Sequence, residues 1–145
     1  MEYDNNNIFA KILRGEAPCI KVYEDEHTLA FMDIMPQMDG HTLVIPKEPA
    51  KTLYDLSETA ALACMKTVQR VGKAVENAME VQGTTLFQHN GQSVGQTVPH
   101  FHFHILPGPI FSAKGIKGHA IEPAHPEALQ LFANKIIHCL KEENI

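Results

Sequence analysis

Apolar residues recur along this chain with two different periods, and the changes of period divide it into elements. Ile8, Phe9, Ile12 and Leu13 fall on one stripe at helical spacing, preceded by the polar cluster Asp4-Asn5-Asn6-Asn7 and followed by Gly15. That pattern predicts a short amphipathic helix capped from within residues 4–7 and closed at the glycine. Pro18 breaks it, and alternation then predicts strands over 20–24 and 28–33, with a turn at 25–27. A third strand is expected over 41–46, opened by Gly40 and stopped by Pro46. The longest helix should start at Ser57 as N-cap and run to about Glu80, because Ala61, Met65, Val68, Gly72, Val75 and Met79 repeat at steps of three and four. Leu62, Cys64 and Val71 widen this stripe, a breadth that suits covering a sheet and also suits meeting a second subunit. Further strands are expected over 84–90 and 100–106, and a last helix opens at Pro126 and Glu127 with Leu129, Phe132, Ile136 and Leu140 on one face. The elements imply an α+β fold: an antiparallel sheet of about five strands, one long helix packed on it, and short N-terminal and C-terminal helices.

The segment His100-Phe101-His102-Phe103-His104-Ile105-Leu106 carries the chemistry. As a strand it places His100, His102 and His104 on one face and Phe101, Phe103 and Ile105 on the other. Neighbours on one face lie roughly 6.5 Å apart, so several imidazoles surround one small group. Such a face suits a zinc site or a nucleophilic histidine. The preceding run, residues 90–99, holds Gly91, Gly95, Ser93 and Thr97 but no carboxylate and no cysteine. A loop of this kind suits oxyanions, since glycines permit close approach and backbone NH groups converge on a phosphate. An anion-binding loop that feeds a histidine face points to phosphoryl chemistry. A neutral imidazole is a competent nucleophile, and three together should titrate as a coupled set.

The segment 100–106 resembles the His-φ-His-φ-His-φ-φ signature of the histidine triad (HIT) superfamily, where φ is apolar, and Gly95-Gln96-Thr97-Val98 resembles the segment that precedes it. Residues 7–12, 29–34 and 40–47 are similar to the Hint branch, so that the likeness covers about residues 5–110. The resemblance implies a HIT-like fold and a nucleotide hydrolase or transferase with His102 as nucleophile. It gives His100 and His104 the task of orienting the nucleophile and neutralising phosphoryl oxygens, and Thr97 with the Gly95 backbone that of contacting the phosphate or leaving group. It further implies that Asp33 holds the ribose hydroxyls, that Phe9, Ile12, Ala17, Phe31 and Ile34 flank the base, and that His41 stands near the triad. Asn90 and Gln96 become phosphate or sugar contacts, whereas His89 is read as an ordinary strand residue. The expected substrates are purine nucleotides or nucleoside phosphoramidates. The expected assembly is a homodimer through the long helix and a sheet edge.

Composition changes this picture little. The 145 residues are expected to form one domain, with a helical extension at about 125–143 beyond the family match. A net charge of −5 gives no electrostatic reason to expect nucleic acid as a partner. The three cysteines, scattered and without a CxxC pair, point to a reducing compartment. The N-terminus lacks a basic and apolar leader, and no apolar run approaches a membrane span, so a cytoplasmic protein is expected. Some HIT proteins hold structural zinc through a cysteine pair, but Asn7 and Ala10 stand at those positions here, so that no metal and no organic cofactor is expected. Gly108, not arginine, follows Pro107, and Lys114-Gly115-Ile116-Lys117-Gly118 forms a basic loop beyond it. The alternatives are a diadenosine polyphosphate hydrolase, a catalytically silent nucleotide-binding or scaffold module, and a zinc hydrolase that uses the same histidines.

Overall fold

Residues 2–109 and 123–143 are described in the computed structural model of the chain. Helix α1 (Ile8–Leu13) is capped by Asn7, whose side chain accepts the Ala10 N–H. Strands β1 (Lys21–Glu24), β2 (Thr28–Met32) and β3 (Thr42–Pro46) follow, then helix α2 (Glu58–Ala78), whose N-cap Ser57 accepts the Ala60 N–H. Strand β4 (Thr85–Phe87), strand β5 (Phe103–Leu106) and helix α3 (Pro126–Glu143) complete the order. The basic loop at 114–118 lies outside the described residues.

The five strands form one antiparallel sheet in the order β1-β2-β3-β5-β4. Every residue of β2 and β3 is buried, because both faces of the sheet are covered. On one face Ala30, Met32, Val44 and Ile105 pack against Val68, Val71 and Val75 of α2 and Leu129, Ala133, Ile136 and Leu140 of α3. On the other face Leu29, Phe31, Leu43 and Ile45 pack against Phe9 of α1. The C-terminal helix is thus nearly as long as α2 and shares its core layer.

Strands β1, β2 and β3 each fall one residue short of the alternation, whereas β4 and β5 are much shorter than it predicts. The ladder of β5 starts only at Phe103. Residues 99–102 approach the sheet from outside it, with the Phe101 N–H bonded to the Ala50 carbonyl at 2.8 Å. Strand β4 ends at Phe87 because the Asn90 side chain ties the chain elsewhere, accepting from Leu53 N and Gln88 Nε2.

Candidate active site

The three triad histidines are buried on the α1 side of the sheet, each ring held by a different partner. His100 directs Nε2 at the Pro46 carbonyl, 2.9 Å away, so Nε2 carries the hydrogen and Nδ1 accepts from the Tyr3 hydroxyl. Burial pushes the His100 pKa below its ordinary value, in keeping with a neutral ring. His102 directs Nδ1 at the His100 carbonyl, 2.7 Å away. A carbonyl only accepts, so Nδ1 carries the hydrogen and the lone pair of the neutral ring lies on Nε2.

His104 is oriented through side chains instead. The His41 Nδ1 accepts the Gln37 N–H at 3.0 Å, which places the His41 hydrogen on Nε2. That hydrogen points at the His104 Nδ1, 2.9 Å away, and so His104 bears its own hydrogen on Nε2. Asp33 backs the pair, with Oδ2 3.4 Å from the His41 Nε2 and Oδ1 accepting the Met35 N–H. Phe87 stacks flat on His104 at 4.3 Å. The outcome is a matched pair: a lone pair at His102 Nε2 and a hydrogen at His104 Nε2, on rings whose centroids are 4.8 Å apart. These assigned tautomers give each ring its own proton. The ligand atoms of Asp33, His41 and His104 also lie within 4.8 Å of one another, and among the described residues this trio could hold a metal ion. A metal there would displace the hydrogen that joins the two histidines.

A cavity of about 500 Å³ opens on the Phe9 side of His102, with Phe9, Ile12, Ala17, Phe31, Asp33, Ile34 and Thr97 among its walls. Phe9 joins the cavity to the triad, because its ring meets that of His102 edge-on at 5.0 Å. The lining is almost wholly apolar apart from Asp33 and Thr97, which suits a flat heteroaromatic base with one polar end. Thr97 also borders a smaller polar cavity with Glu2, Asp4, Lys51 and Gln92.

The loop ahead of the triad is braced from within. Gln96 accepts the Gly91 N–H and donates to the carbonyls of Lys51 and Val98. Its side chain, like the oxygen of Asn90, is therefore engaged in shaping the loop, while Gly95 turns the chain at φ +116°. Asn7 and Ala10 belong to α1 as its cap and a buried contact.

A family model, the HIT domain, matches residues 14–109. The chain belongs to the HIT family. The protein named hit of Bacillus subtilis is 39% identical over 140 residues, covering 94% of this chain and 95% of that one. The adenosine 5′-monophosphoramidase hnt1 of Schizosaccharomyces pombe is 36% identical, covering 92% and 98%. Among solved structures, a HIT-like protein of Bartonella henselae crystallised with an unknown ligand superposes with a TM-score of 0.86 at 43% identity, covering 96% of this chain and 99% of that one.

Tyr3 and His89 are among the residues of this HIT site that were not assigned to it from sequence. Tyr3 reaches His100 across 97 positions, and nothing local signals the contact. His89 lies beside His104, with ring centroids 6.1 Å apart. Its signal was present: Phe87 pairs with His104 in the sheet, so a residue two positions beyond Phe87 continues on the histidine face.

Proposed function

We propose that the chain is a nucleotide hydrolase acting on the α-phosphorus of nucleoside 5′-phosphoryl compounds, purine nucleoside phosphoramidates foremost. One observation carries the reading: the His102 lone pair, fixed on Nε2 by the His100 carbonyl, stands beside an apolar cavity of nucleoside size. The base enters between Phe9, Ile12, Ala17, Phe31 and Ile34, and Asp33 at the cavity edge accepts from the ribose hydroxyls. His102 Nε2 attacks phosphorus and forms a nucleotidyl-histidine as the bond to the leaving group breaks; water then attacks phosphorus and returns the lone pair to His102. The His104 Nε2–H, with Thr97 and the Gly95 backbone, neutralises phosphoryl oxygens, and His100 positions the nucleophile through its carbonyl. Histidine supplies the nucleophile and dipoles supply the charge stabilisation, so the reaction requires no metal or organic cofactor.

The phosphoramidase named among the relatives supports this substrate class. Comparison of wild type with His102→Ala for AMP release from adenosine 5′-phosphoramidate and from a diadenosine polyphosphate, each with and without chelator, tests the reading. Phosphoramidate turnover lost in the variant is the expected result; AMP binding without turnover of either substrate refutes it in favour of a binding module. Preference for the dinucleotide favours the polyphosphate hydrolase, and loss of wild-type turnover in chelator favours a zinc enzyme.

The same reading includes a homodimer. Leu62 and Met65 of α2 and Leu86 of the edge strand β4 are exposed apolar side chains that pairing would cover. None of the helices among the described residues is long and apolar enough to cross a membrane. Three free cysteines support a cytoplasmic location.

A further inference from the structure

We propose that Tyr3 is a positioning residue for the nucleophile: its hydroxyl locks the His100 ring and, through that ring, the carbonyl that aims His102. The proposal rests on the hydrolase reading above and adds to it a residue from outside the sheet.

A neutral imidazole carries one hydrogen and one lone pair, so a ring closed to water needs one acceptor and one donor. His100 is such a ring. The Pro46 carbonyl takes its Nε2 hydrogen, and the Tyr3 hydroxyl donates to its Nδ1. The other tautomer would set the Nε2 lone pair against the Pro46 oxygen, and a ring turned over would present carbon to both partners. A single tautomer and a single ring orientation therefore satisfy both nitrogens, and Tyr3 supplies half of that selection.

Tyr3 is equipped to donate. Burial raises its pKa above the ordinary value, against a smaller opposing hydrogen bond from the Asn7 side chain, so the hydroxyl keeps its hydrogen at neutral pH. The segment that carries it is tied to α1. Asn7 caps the helix through Oδ1 and donates Nδ2 to the Asp4 carbonyl, while Arg14 donates to the Asn5 carbonyl. Tyr3 thereby meets the His100 ring edge-on at 5.6 Å, from beside Phe9, whose own ring stands 6.3 Å from that of His100.

From the ring the constraint passes to the backbone, because the Cα of His100 bears both ring and carbonyl. That carbonyl accepts from His102 Nδ1, and the N–H of the same peptide unit bonds to the Ala50 carbonyl. Of these four bonds, three end on the main-chain carbonyls of Pro46, Ala50 and His100. The fourth comes from the Tyr3 side chain, which a substitution removes without touching the triad.

The test measures AMP release from adenosine 5′-phosphoramidate by wild type, Y3F, H100Q and the double variant. Y3F keeps the ring and loses only the hydroxyl. It should lower kcat about 10-fold or more with KM within about twofold of wild type, because a misaimed nucleophile slows chemistry without weakening substrate binding. Glutamine at position 100 keeps a donor for Pro46 but places no acceptor where Nδ1 stood, so in the H100Q background Y3F should change kcat by less than about twofold. A Y3F kcat within about twofold of wild type, a rise in KM in place of the fall in kcat, or an equal loss in both backgrounds overturns the role of Tyr3 and leaves the hydrolase intact. If H100Q is too slow to measure, nitrogen-15 NMR of the imidazoles replaces it: Y3F should shift the His100 and His102 resonances together, and an unmoved His102 overturns the proposal. A wild type that releases no AMP overturns the hydrolase reading and this proposal with it.

Discussion

His41→Phe separates the two consequences of the Asp33-His41-His104 chain. The substitution keeps an aromatic ring in a fully buried site but removes both nitrogens. The Gln37 N–H loses its acceptor and the His104 Nδ1 loses its donor, each in a place closed to water. A buried polar group deprived of its partner costs about 1–3 kcal/mol, so the two together cost about 2–6 kcal/mol. Thermal unfolding should register this as a fall in Tm of about 5–25 °C. The kinetic effect is separate. Without the hydrogen from His41, the His104 proton moves to Nδ1, and a lone pair replaces the N–H that faces the phosphoryl group. Loss of one such donor lowers kcat by roughly 100- to 1,000-fold, to be read from steady-state AMP release below the variant's Tm. Asp33→Asn, which keeps an oxygen for the Met35 N–H, should produce a milder form of both effects. A His41→Phe protein with kcat and Tm close to wild type would refute the tautomer assignment on which the mechanism depends.

Two further outcomes follow from burial. The lowered His100 pKa means that the unfolded chain takes up this proton near pH 6.5 while the folded one resists it to lower pH, so the His100 contribution to stability is complete above that range and lost as pH falls through it. Thermal scans between pH 8 and 5 should show Tm declining below about pH 6.5, with a shallower decline in His100→Gln; identical slopes would contradict the neutral assignment. Ile136→Ala, in the centre of α3 and fully buried against the sheet layer, should cost about 2–5 kcal/mol in urea unfolding, and a negligible loss would mean that α3 does not belong to the core.

Much of this arrangement was legible in the chain because it is local. Asn7 and Ser57 act as helix caps where their positions predict, and the alternation through 100–106 correctly separates a histidine face from a core face. The apolar set of Phe9, Ile12, Ala17, Phe31 and Ile34 does gather around one cavity. What escaped depends on contacts between distant segments. The bond from Phe101 to Ala50 lifts the start of the triad segment out of the ladder, and no property of residues 100–106 encodes it. Gln96 and Asn90 carry a task their own neighbourhood does not announce, bracing the glycine-rich loop through bonds to the backbone of Gly91, Lys51, Val98 and Leu53. His89 was visible only with strand register in hand, since its meaning comes from the neighbour that Phe87 acquires in β5.

Because the ladder of β5 begins only at Phe103, the His100 carbonyl has left the sheet and serves as the partner of His102. The group that aims the His102 ring is a main-chain atom, which every amino acid at position 100 would also supply. A genetic screen of this protein would therefore find His102, if it is the nucleophile proposed above, but not the group that orients it, and variants at position 100 would report only on the imidazole. Replacing the carbonyl of residue 100 by a thiocarbonyl through chemical synthesis, which weakens it as an acceptor while keeping the Phe101 N–H bonded to Ala50, would expose a catalytic component that codon changes cannot reach.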